Sequence, residues 1–173
     1  FESPQYDPGE TWKIVESALK ELDDLTAKCP DLAPVLTQRA RAHRLLHRIR
    51  AARKDIDRAV EIDPTLRTAR VERIRLIFEE VATTMAGVDR GAEGRAYMDE
   101  NLEIAKKDHD IVRAGTGTLP PRAARDLRLA ELLRGFMSSS MHAAAKADLE
   151  REATERRDPE FWYFLAVFRG SDH

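Results

Sequence analysis

The chain has 173 residues, of which 35% are charged, 42% hydrophobic and 6% aromatic, with a formal net charge of −2. That apolar share is too large for a disordered tail, and the near-neutral balance argues against a protein held on nucleic acid by phosphate contacts. No apolar run approaches the roughly 20 residues of a membrane span, and one cysteine, Cys29, excludes an intrachain disulfide.

The opening residues FESPQYDPGE have neither the basic start nor the apolar stretch of a signal peptide, nor an initiating methionine. They suggest an excerpt or a processed form of a longer protein. Its compartment stays open: cytoplasmic, or envelope-associated if an upstream targeting segment has been removed. Residues 1–9, with Pro4, Pro8 and Gly9, read as an extended lead-in, and 10–173 as one helical domain. Apolar residues at helical spacing (Ile14, Leu19, Leu22, Leu25) predict a helix over 10–28, broken by CPDLAP. Further helices are expected at 34–47 and 51–62, the latter ended by Asp63-Pro64-Thr65, then at 66–85. A Gly-containing loop at 86–94 leads to a helix over 92–107. KDHDIVRAGTGTLPP (107–121) reads as a connection with two glycines and two prolines. Helices at 121–136 and 141–157 flank FMSSSM, whose serines suit a cap, and Pro159 opens a last helix at 160–168. No segment sustains the alternation of a strand, so the expected class is all-α.

The stretch RAARKDIDRAVEIDP (50–64) sets two alanines, Ala52 and Ala59, seven apart around Ile56 and ahead of Pro64. A shift of 34 residues aligns Pro30 with Pro64, Ala18 with Ala52, Leu22 with Ile56 and Leu25 with Ala59. The helix before adds Leu36, Ala40 and His43 on one face. This set resembles the tetratricopeptide repeat, whose first helix wants a large, a small and an aromatic residue. Its second wants small, large and small, followed by proline. Residues 33–66 carry the pattern most clearly, with Arg39 where leucine is usual, and 10–32 match its second half. Later pairs are degenerate: Leu102 and Ala105 in one, Ala147, Arg151, Thr154 and Pro159 in the other. The resemblance implies antiparallel helix hairpins stacked as a short right-handed α-solenoid, acting as a non-catalytic scaffold that binds another protein. Small residues at Ala40, Ala52 and Ala59 let two helices approach closely, while Leu36, His43 and Ile56 fill the space between them.

In such arrays first helices line a groove. Residues 34–50 hold five arginines (Arg39, Arg41, Arg44, Arg48, Arg50) and no acid, and Thr37, Arg41, Arg44 and Arg48 recur along one stripe. Arg70 and Arg73 follow on the next first helix. Guanidinium forks suit carboxylates, so these six residues are the candidate contacts for an acidic peptide or partner segment. The same arginines would alternatively pair with the acids of adjacent helices, such as Asp55 and Asp57. Two other functions remain as alternatives: nucleic-acid binding through the arginine stripes, and a small-ligand or transport-accessory module with a pocket between helices.

Catalytic or metal chemistry has little to stand on. His43 and His47 are four apart but share the packing face. Asp108, His109 and Asp110 cluster in the expected connection, AGTGT (114–118) lacks the lysine and spacing of a phosphate loop, and Cys29 reads as structural at a helix end. No catalytic residue, metal or cofactor is expected. The C-terminal aromatics Phe161, Trp162, Tyr163, Phe164 and Phe168 suit a sealing helix or a self-association patch.

Overall fold

In the computed structural model the described residues are 8–85, 91–137, 142–156, 162 and 165. They form seven helices and, among the described residues, no strand: α1 (Pro8–Lys28), α2 (Ala33–Leu45), α3 (Ile49–Ile62), α4 (Arg67–Met85), α5 (Gly91–Ala114), α6 (Pro121–Met137) and α7 (His142–Arg156). The class is all-α. Among these residues no helix is long and apolar enough to cross a membrane. The chain divides into two compact units, Phe1–Leu76 and Ile77–His173.

In the first unit α2 packs against both α1 and α3. Pro34 sits in the first turn of α2, where its missing N–H costs nothing. The link to α3 is only Leu46–Arg48, and it closes with His47 at φ 54, in the left-handed region. The His47 ring stacks on Trp12 of α1, 6.0 Å between centroids. So short a link forces α2 and α3 side by side and antiparallel, as the cross-pairs Arg39–Asp55 and Arg58–Asp31 require.

The face between them is the alanine-notched one. Ala52, Ile56 and Ala59 are 0% exposed and share one core with Ala33, Leu36, Ala40, Val60, Ala69 and Leu76. Full burial of Ile56 alone stabilises the fold by about 1.5–3 kcal/mol. A second, smaller core lies on the other side of α2, where Ala42 and Leu46 meet Leu19, with Val15 and Leu22 partly buried against them. With both flanks of α2 covered, its remaining polar residues have little solvent left to face.

The turn after α3 is fixed twice. The Asp63 carboxylate accepts from the Thr65 N–H at 2.9 Å and its hydroxyl at 2.7 Å, which holds Asp63 below the usual carboxylate range. The Pro64 carbonyl accepts the Arg70 fork, from Nε at 2.9 Å and Nη2 at 2.7 Å.

In the second unit α6 packs on α7. Its buried residues include Val81, Ala105, Val112, Leu127, Leu129, Leu149, Ala153 and Leu165. Helix α5 runs seven residues past the expected end, so Lys107–Ala114 is helix and not connection. The reason is tertiary. Asp108 and Val112 are buried, and His109 meets Glu131 of α6 at 3.1 Å. The connection begins only at Gly115, and Gly117 takes φ 82, which a residue without Cβ adopts freely. Of the expected lead-in, Pro8 and Gly9 belong to α1. Residues 1–7, the serines of FMSSSM and most of the 160–168 segment lie outside the described residues. Within that last segment Trp162 is exposed and Leu165 buried.

The notch gives a paired expectation. Ala52→Leu overpacks the α2–α3 seam and should cost about 1–3 kcal/mol in urea unfolding. Ala18→Leu, at the matching place on α1, should stay within about 0.5 kcal/mol because Ala18 is exposed.

Candidate functional site

The arginine stripe starts from the burial of α2. A helix covered on two flanks must either exclude long polar side chains or give each a partner, because an unpaired buried charge is costly. Arg44 is buried, and its Nε donates to Glu72 Oε1 at 2.8 Å. Arg41 donates through Nε to the other oxygen, Oε2, at 3.2 Å. Glu72 is itself 1% exposed. Burial pushes its carboxyl upward, but the charges of Arg44 and Arg41 and their hydrogen bonds outweigh that and hold it below the ordinary range. One carboxylate on α4 thus receives two arginines from α2.

The other expected contacts are placed as follows. Thr37 is buried, and its hydroxyl donates to the Ala33 carbonyl one turn back at 2.8 Å, so it is a packing residue. Arg70 is buried and forks onto Pro64 at the α3–α4 turn. Arg73 reaches Asp57 of α3 at 3.2 Å, with Arg53 on the same carboxylate at 2.8 Å. Arg48 keeps a side chain 51% exposed, 3.7 Å from Glu16 of α1. The six do not converge on one surface: Arg41 and Arg44 meet at Glu72, while the other four sit at separate seams. Arg41 also donates through Nη1 to the exposed Gln38 at 3.2 Å, so part of its guanidinium reaches the surface, while Arg48 is the exposed member of the stripe.

The strongest pairing falls on a residue outside that stripe. Arg39 forks onto Asp55 of α3, Nε to Oδ2 and Nη2 to Oδ1, both at 2.7 Å, while Nη1 donates to Asp23 of α1 at 3.3 Å. The Asp55 hydrogen bonds, ahead of the opposing effect of burial, raise the Arg39 pKa further above its ordinary value. Arg39 therefore ties three helices together. Arg73 and Asp57 form the same kind of pair as Arg39 and Asp23, with both members shifted by 34 residues. That coincidence is present in the sequence, and the contacts make Arg39 a clamp between α1, α2 and α3.

His43 lies beside this clamp, Nε2 3.8 Å from Asp55, and its Nδ1 has no hydrogen-bond partner. Burial lowers its pKa below 6.5, against the opposing pull of Asp55, so the folded state favours the neutral ring. His47 faces Trp12 instead, so the two histidines do not share a task. In the second unit Glu131 joins His109 and Arg113 across α5 and α6, and Arg128 reaches Glu152 at 2.6 Å and Asp148 at 3.2 Å on α7. Cys29 is exposed. Among the described residues no group of three or more His, Cys, Asp or Glu is arranged to hold a metal ion.

Comparisons of the chain with protein-family models, with curated proteins and with solved structures find no match.

Glu72→Gln would remove the carboxylate that the buried Arg44 shares with Arg41 and should cost about 3 kcal/mol by urea unfolding. Removing Arg58, whose ion pairs with Asp31 and Glu61 are at the surface, should shift the midpoint far less. Stability should also fall on acidification, because His43 and Glu72 have folded pKa values below their unfolded ones. His43 contributes stability that is complete above 6.5 and is lost as pH drops through its folded value, and Glu72 does the same from 4.5 downward. In His43→Gln the decline between pH 7 and 5 should be shallower than in the wild type.

Proposed function

We propose that the chain is a helical-repeat module of the tetratricopeptide type that works by holding another protein, without chemistry of its own. The observation that carries this reading is the α2–α3 seam. Leu36, Ala40, Ile56, Ala52 and Ala59 are all buried in one core at the family's spacing, and Pro64 follows the second helix. A recurring clamp supports it, since Arg39–Asp23 and Arg73–Asp57 join successive helices with the same 34-residue period. A hairpin cannot cover its own faces, so such units stack and present an extended surface, right-handed in the solenoid that the resemblance implies.

The guest we favour is an acidic peptide segment received on the outer side of α2. Arg44, Arg70 and Arg73 have internal acceptors, and Arg41 shares Glu72 with Arg44 through Nε, which leaves the half-exposed Arg48 and the outer edge of the Arg41 guanidinium as the groups able to take a carboxylate. Exposed ion pairs contribute little individually, so affinity would also need apolar contact beside them. Among the exposed apolar side chains, Leu45 lies between these two arginines in sequence.

A fluorescein-labelled dodecamer alternating glutamate and leucine is a suitable probe. Anisotropy titration should give saturable binding with Kd of about 10–100 µM. Arg48→Glu combined with Arg41→Gln should weaken it about tenfold, and added salt should weaken it too. Binding untouched by the double variant would remove the acidic-guest reading.

A further inference from the structure

Helix α1 stands in the repeat register as a second helix, so each of its residues has a counterpart 34 places later on α3. Ala18, Glu21, Leu22 and Leu25 match Ala52, Asp55, Ile56 and Ala59. On α3 all four are buried against α2, and Asp55 accepts the Arg39 fork. On α1 the outcome differs. Ala18 and Glu21 are exposed, Leu25 is 47% exposed, and Ile14, one turn before Ala18 on the same side, is 66% exposed. Leu22 alone is partly buried, because it reaches across to Ala42 and Leu46 of α2. Glu21 makes no hydrogen bond or ion pair among the described residues.

The uncovered strip therefore has a definite chemistry. Ile14, Ala18, Glu21 and Leu25 recur at four, three and four residues along one side of α1. They offer apolar ends, a shallow notch at Ala18, and one carboxylate set among them. Its counterpart shows what fits such a face. Helix α2 lays Leu36 and Ala40 into the notch of α3 and sends Arg39, between them, onto Asp55.

We propose that this face of α1 docks an amphipathic helix of a partner protein, antiparallel to α1, whose arginine forks onto Glu21 as Arg39 forks onto Asp55. The partner helix carries the signature large apolar, two residues of any kind, arginine, small. The proposal rests on the repeat register used for the proposed function but concerns a different surface from the arginine-bearing side of α2. Charge complementarity selects the occupant: a wholly apolar helix would bury Glu21 unpaired, and an acidic one would oppose it.

The probe is a hydrocarbon-stapled peptide with the sequence of residues 33–46, since an unstapled helix of that length is marginal in water. Titrated into the full chain, it should bind in a saturable one-to-one manner with Kd of about 30 µM. Ile14→Asp should weaken binding about tenfold, and Glu21→Arg likewise. A peptide carrying Arg39→Glu should lose the wild-type chain and recover the Glu21→Arg chain. Absence of saturation overturns the proposal, as does binding indifferent to Glu21→Arg, which would mean the peptide has displaced α2 itself. A wild-type dimer that Ile14→Asp dissolves would assign the face to a second copy and also overturn it. Failure of the repeat register is separate and would appear as an unperturbed Ala52→Leu chain.

Discussion

The close approach of α2 and α3 governs most of what surrounds it. Helix axes come nearer where the facing residues are small, and Ala40, Ala52 and Ala59 provide such a line, with Ile56 and Leu36 seated between them. A long side chain inside that seam has to leave by its edge. Arg39 does so, and it emerges next to Asp55 and within reach of Asp23. Packing thus decides the electrostatics here: the clamp exists because the notch brings Arg39 of α2 within a fork's length of Asp55 on α3.

The same constraint explains why so many charges are buried in a small unit. Helix α2 is flanked by α1 on one side and by α3 on the other, so arginines that would be solvated on a lone hairpin are enclosed. Glu72 answers two of them at once. Such pairs contribute little net stability compared with apolar residues of similar volume, because desolvation offsets most of the attraction. What they impose is register. A slip of α4 along α2 would break both hydrogen bonds that Glu72 accepts from Arg41 and Arg44, so the buried pair penalises alternatives more than it rewards the native arrangement.

The helical class, the hairpin at 33–62 and its proline stop were legible because small and large residues recur at a fixed period, which is a local signal. Boundaries in this part agree with the described helices to within two residues. The end of α5 was not legible, since Lys107–Asp110 looks like a polar helix end. Only the distant acceptor Glu131 and the burial of Val112 keep that turn helical. The arginine stripe shows the other limit. Helical spacing says which residues share a side of α2, but not what stands opposite, and Thr37 and Arg44 turned out to face protein. A usable signal was nevertheless present: Asp23 and Asp57, like Arg39 and Arg73, are separated by the same 34 residues as the alanines.

The same 34-residue shift also separates what a residue is from what stands beside it. Leu25 and Ala59 occupy the same register position, as do Glu21 and Asp55, yet one member of each pair is exposed and the other enclosed. Intrinsic hydrophobicity cannot be the cause, because the larger and more apolar Leu25 is the exposed one. The difference is the neighbour: α3 has α2 across its notch, and α1 has no helix in the corresponding place among the described residues. Leu22 confirms the geometry from within α1, being partly buried on the side where α2 lies while Leu25, three residues on, meets solvent. Ile14 and Leu25 are thus exposed because no described helix lies opposite them, whereas Ala52 and Ala59 are enclosed because α2 does.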